Sequence, residues 1–129
     1  MSKYQGIVFS QSARTISFFQ DLSVVVDTQL VCADNMVGFL LEMHEKDFQF
    51  AIVEFKQVKV ECLQWVRLIR RLRPKLPLIV ICDKIDQPTE AHLHEERIYY
   101  LGMRPLQKET MAVVLKSAIR QKFKNMHAW

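Results

Sequence analysis

Five short apolar runs, each followed by an amphipathic stretch with its own stop signal, constrain this chain more than any other feature. The runs are Gly6–Phe9, Thr28–Ala33, Phe50–Phe55, Leu78–Cys82 and Ile98–Met103. They are four to six residues long, the length of buried strands, and Phe50–Phe55 is interrupted only by Glu54. Ser12 is placed to cap a helix through Leu22, whose Ile16, Phe18 and Phe19 form an apolar face. Asp34 or Asn35 caps a second helix with Met36, Val37, Phe39, Leu40, Leu41 and Met43. A third runs from Cys62 to Leu72, with Leu63, Trp65, Val66, Leu68 and Ile69 at helical spacing, and Pro74 stops it. Gln87-Pro88-Thr89-Glu90 opens a stretch to Arg97 with only Ala91 and Leu93 as apolar anchors, which predicts a short or loosely packed fourth helix. Glu109 or Thr110 begins the last, with Met111, Val113, Val114, Leu115, Ala118 and Ile119 on its buried side.

Apolar strands alternating with amphipathic helices predict an α/β fold with a parallel sheet covered on both faces. Right-handed crossovers leave few topologies, and the flavodoxin-like (βα)5 three-layer sandwich with strand order 2-1-3-4-5 leads them. No linker, repeat or low-complexity segment interrupts residues 1–129, so a single domain is expected.

Composition excludes several classes. No apolar run approaches the ~20 residues of a membrane span, and the N-terminus lacks a signal-peptide pattern. Three scattered glycines cannot make a phosphate cradle. Cys32, Cys62 and Cys82 sit in apolar stretches without a C-x-x-C and read as reduced core thiols of a cytoplasmic protein. The first 60 residues carry a net charge of −2 and the remaining 69 carry +6. The excess comes from Arg67, Arg70, Arg71, Arg73 and Lys75, and from Lys116, Arg120, Lys122 and Lys124. Both clusters fall near helix C-termini, where the backbone dipole favours cations, and no reading motif or interleaved aromatics accompany them. Nucleic acid is therefore not the expected partner of this domain.

In an open parallel sheet the functional crevice lies beyond the carboxyl ends of the strands. There the sequence places Ser10 and Gln11 after strand one, Glu54 at the end of strand three, Cys82 and Asp83 after strand four, and Arg104-Pro105 after strand five. With 28 positions from Glu54 to Cys82 and 22 from Cys82 to Arg104, the chain resembles the receiver domain of two-component response regulators over essentially its whole length. The resemblance implies a signal-transduction module of phosphorelays. In that family an acidic pair after strand one binds Mg²⁺ and an Asp ending strand three accepts the phosphoryl group. A Ser or Thr ends strand four, and a Lys before Pro ends strand five.

Every one of those positions is exchanged here. Ser10-Gln11 stands for the acidic pair, Glu54 for the phosphoacceptor, Cys82 for the hydroxyl and Arg104 for the Lys. The loop after Glu54 lacks the family's Pro and Gly, and Leu101 occupies the place of its aromatic switch residue, beside Tyr99 and Tyr100. Phosphoryl transfer needs a metal against developing charge and a nucleophile in line. The set kept here is a carboxylate and a cation, so the resemblance implies a degenerate, or pseudo-, receiver without metal, cofactor or enzymatic activity.

Such a domain is expected to signal by contact with a protein partner or a second copy. The face made by helix four, strand five and helix five carries Arg97, Tyr99 and Tyr100, a mixture of charge and aromatic anchors suited to an interface. A Glu54–Arg104 ion pair is expected to hold one state of that face without phosphate. Two other readings stay open: a regulatory domain whose DNA-binding part is absent, and a small-ligand sensor using the vacated acidic pocket. Asp83 and Asp86 read as loop carboxylates and caps. His92 and His94, two apart on a helix, diverge around its axis and suit no shared metal. The apolar tail with Met126 and Trp129 suggests packing on a partner or passage into a further domain.

Overall fold

The computed structural model describes residues 3–126, with side chains to residue 122; the expectation for Met126 and Trp129 lies outside those side chains. Strands β1 (Tyr4–Phe9), β2 (Thr28–Ala33), β3 (Phe50–Gln57), β4 (Leu78–Lys84) and β5 (Tyr100–Met103) alternate with helices α1 (Ala13–Val25), α2 (Met36–Glu45), α3 (Val60–Leu72), α4 (Gln87–Glu95) and α5 (Lys108–Met126). The sheet is parallel throughout and ordered β2-β1-β3-β4-β5, as the alternation predicts.

Two apolar layers flank the sheet, and strand parity assigns each side chain to one of them. Val8, Phe50, Ile52, Ile79 and Ile81 point toward α1 and α5, where they meet Phe19, Leu22, Met111, Leu115 and Ala118. Ile7, Ala51, Val53, Leu78, Val80 and Cys82 point the other way, onto Phe39, Met43, Leu63, Val66, Ile69 and Leu93 of α2, α3 and α4. Gly6 is required at one point: a Cβ there would lie 2.3 Å from the ring of Phe50, itself fully buried.

Local chemistry explains the helix ends. Ser12 caps α1 by accepting from the Thr15 amide, and Asn35, rather than Asp34, caps α2 through Gly38. Asp86 caps α4 through Thr89, and that hydrogen bond holds its carboxyl below the ordinary Asp range. α4 buries Leu93 alone, in keeping with its poor apolar content. It ends at Glu95 with Glu96 as its C-cap, and Arg97, with a φ of 60°, turns the chain away from the helix. Ile98 then packs on the α2–α4 layer from a connection, so β5 begins at Tyr100 and not at Ile98.

Burial departs from the sequence reading in several places. Val37 and Leu41 on α2, Trp65, Leu68 and Leu72 on α3, and Val113 on α5 are exposed. Each helix offers an apolar arc wider than the strip that the sheet covers. On α3 the strip taken is Leu63, Val66 and Ile69. The thiols also divide: Cys82 is buried, Cys62 is half-buried, and Cys32, on the edge strand β2, is exposed. Among the described residues no helix is long and apolar enough to cross a membrane.

Candidate functional site

Parity builds the site as it builds the core. Ser10 follows Val8, Glu54 follows Ile52, and Arg104 follows Gly102, all on the α1–α5 side of the sheet. β3 continues three residues beyond Glu54, to Gln57, so Glu54 sits below the rim of the sheet and not at the strand end. Its side chain is only 4% exposed.

Both carboxylate oxygens of Glu54 are occupied. The Ser10 hydroxyl donates to Oε1 at 2.5 Å, and the Thr15 hydroxyl donates to Oε2 at 2.5 Å. Nη2 of Arg104 forms an ion pair with the same Oε2. Ser10 is itself fixed, because its Oγ accepts from the Ser12 amide at 3.0 Å, in the turn that opens α1. An ionised carboxylate only accepts, and here two hydroxyl donors and a guanidinium meet it together. Arg104 extends the chain of charges: its Nε lies 3.3 Å from Asp83 Oδ1, without the alignment of a hydrogen bond. The Arg104–Pro105 peptide bond is cis.

The structure thus brings together Ser10, Glu54 and Arg104 of the five pocket residues read from sequence. Gln11 has the opposite parity from Ser10; it is exposed, and its Nε2 donates to the Asp34 carbonyl at 3.3 Å. Cys82 belongs to the α2–α4 layer, where its Sγ contacts Met103 Sδ at 3.4 Å. Burial first, then Asp83, pushes its thiol up to about 11, so it remains protonated and unreactive at neutral pH. Asp83, one residue on, occupies the pocket side instead. Thr15 escaped the sequence reading, although it lies four residues before Phe19 and seven before Leu22, the spacing of the buried face of α1.

The Mg²⁺ that receiver domains use does not fit these donors. A magnesium ion demands near-octahedral oxygen ligands at ~2.0–2.1 Å. Both Glu54 oxygens are already taken, Ser10 offers a neutral hydroxyl committed to one of them, and a guanidinium stands beside Oε2. No group of three or more His, Cys, Asp or Glu able to hold a metal occurs among the described residues. Beside the site a cleft of about 510 Å³ is lined by Arg14, Thr15, Phe18, Asp83, Arg104, Pro105 and Leu106. Both carboxylates at this place, Glu54 and Asp83, face Arg104.

The proposed contact face is only partly open. Arg97 is exposed, while Tyr99 and Tyr100 are half-buried against the α1–α5 layer. The Tyr99 hydroxyl hydrogen-bonds to Ser117 Oγ and ties the connection just before β5 to α5. The first basic cluster is largely consumed inside the chain. Arg70 donates to the carbonyls of Glu96, Arg73, Pro74, Leu76 and Arg97 at 2.7–3.3 Å. Arg73 donates to the Met43 carbonyl at 2.6 Å, and Arg67 pairs with Glu96 at 2.9 Å.

No protein-family model matches the sequence, and neither does any curated protein. Solved structures do match it in fold. The signal receiver domain of an HD domain-containing protein from Pseudomonas fluorescens Pf-5 superimposes with a TM-score of 0.86 at 13% identity, covering 100% of this chain and 96% of that one. A CheY-like response regulator receiver domain protein from Methanospirillum hungatei JF-1 gives 0.84 at 11% identity, with 95% and 98% covered. An orphan response regulator of H. pylori gives 0.81 at 11% identity, with 92% and 98% covered. The chain has the flavodoxin-like (βα)5 fold of CheY-like receiver domains.

Proposed function

We propose that this chain is a single receiver-like domain that signals by protein contact and does not run the phosphoryl chemistry of its fold. The observation that carries the reading is Glu54. At the place of the family's phosphoacceptor it is buried, hydrogen-bonded on both oxygens and paired with Arg104. A carboxylate in that state has no oxygen free to attack phosphorus, and Asp83, the other carboxylate on the pocket side, faces the Arg104 guanidinium. The ion pair takes over the link that a phosphoryl group makes in the family between strand three and the strand-five cation. One state of the domain is thereby held without modification.

The output face is α4, β5 and α5, where Arg97 is free to reach a partner and Tyr100 flanks it. Substituting Arg97→Glu is expected to weaken partner capture, and unchanged capture would remove that face. The reading also predicts that millimolar Mg²⁺ leaves the amide chemical shifts of Ser10, Thr15 and Glu54 in place. Saturable shifts confined to those residues would contradict it.

A further inference from the structure

The exposed apolar side chains that break the usual surface composition include a continuous stripe on α3. Its inner face is buried, while Trp65, Leu68 and Leu72 on the outer face are between 36% and 43% exposed. Together with Glu61 these residues recur at steps of four, three and four, the alternation that seats one helix against another along a single seam. The charges on this helix are polarised. Glu61 stands at its N-terminal end and Arg71 at the other; both are exposed, and neither joins an ion pair among the described residues. Arg67 and Arg70 are engaged by the connection from α4 to β5.

We infer that α3 is the seam of an isologous contact between two copies of this chain, with the two helices antiparallel. A helix that is acidic at one end and basic at the other complements itself only when reversed, which is the relation a two-fold axis generates. In that arrangement Trp65 of each copy packs on Leu68 of the other, and Glu61 of each approaches Arg71 of the other. The seam is about 16 Å long at 1.5 Å per residue. Two such helices bury less than the roughly 1,200 Å² of a stable interface, so the dimer is weak and forms with rising concentration. The inference deepens the reading of a domain that works by contact and names a second copy as one partner.

Sedimentation equilibrium of the full 129-residue chain over a range of loading concentrations tests it. A monomer–dimer equilibrium is expected. Leu68→Lys, at a position already on the surface, should raise the dissociation constant by about tenfold or more, a cost of ~1.4 kcal/mol or more, while leaving the circular dichroism and Tm unchanged. Glu61→Arg and Arg71→Glu should each weaken the dimer, and their combination should restore it. A monomer at every concentration, a dimer indifferent to Leu68→Lys, or a combined charge exchange weaker than either single one would overturn the inference. So would a dimer lost instead through Arg97→Glu. A monomer that still refuses phosphorylation would defeat the α3 contact and leave the pocket reading standing.

Discussion

Arg104→Met should lower the stability of the fold by about 3 kcal/mol, the lower end of the range for breaking a buried ion pair, because Arg104 is itself 29% exposed. The loss comes from what remains. Glu54, 4% exposed, would keep its charge with only the Ser10 and Thr15 hydroxyls to solvate it. Glu54→Gln should cost less, since it removes the buried charge and leaves Arg104 facing Asp83. Urea unfolding followed by circular dichroism measures both losses. Equal, small losses in the two variants would mean that the pair does not hold the site together.

The second large effect is expected at Arg70. Its guanidinium satisfies five backbone carbonyls at the end of α3 and in the connection from α4 to β5. Arg70→Met would leave those acceptors to water or to nothing, at a cost of about 2 kcal/mol. Arg71→Met, one residue on and without such bonds, should stay within ~0.5 kcal/mol of the parent protein. The contrast separates a basic residue used as a structural clamp from one that only faces solvent. If Arg70→Met is as mild as Arg71→Met, the basic segment is free for another partner and its exclusion from nucleic-acid binding loses support.

Much of the architecture was legible because each strand–helix unit carries its own signals. The run Thr28–Ala33 coincides with β2, Ser12 caps α1, and Pro74 follows the last turn of α3. What the sequence concealed was mostly a matter of face. Glu54 was expected at a strand end, yet Phe55, Lys56 and Gln57 extend β3 past it and leave it buried. Cys82 and Gln11 lie one residue from pocket positions, and a single residue of parity sends them to the other side. Thr15 reads as an ordinary helix residue until its alignment with Phe19 and Leu22 is followed back toward the strand ends. The exposed Trp65, Leu68 and Leu72 were hidden for a different reason. Helical periodicity identifies apolar positions, but it does not say which arc the sheet will cover.

These details converge on one chemical statement: the carboxylate at the phosphoacceptor place is already spoken for by Ser10, Thr15 and Arg104. Incubation of the intact chain with Mg²⁺ and a small-molecule phosphodonor, followed by intact-mass measurement, tests that statement most directly. The expected result is a single unmodified species, with a receiver domain that carries the full acidic site labelled in parallel. A phosphoryl adduct on this chain that disappears in Glu54→Gln would contradict it.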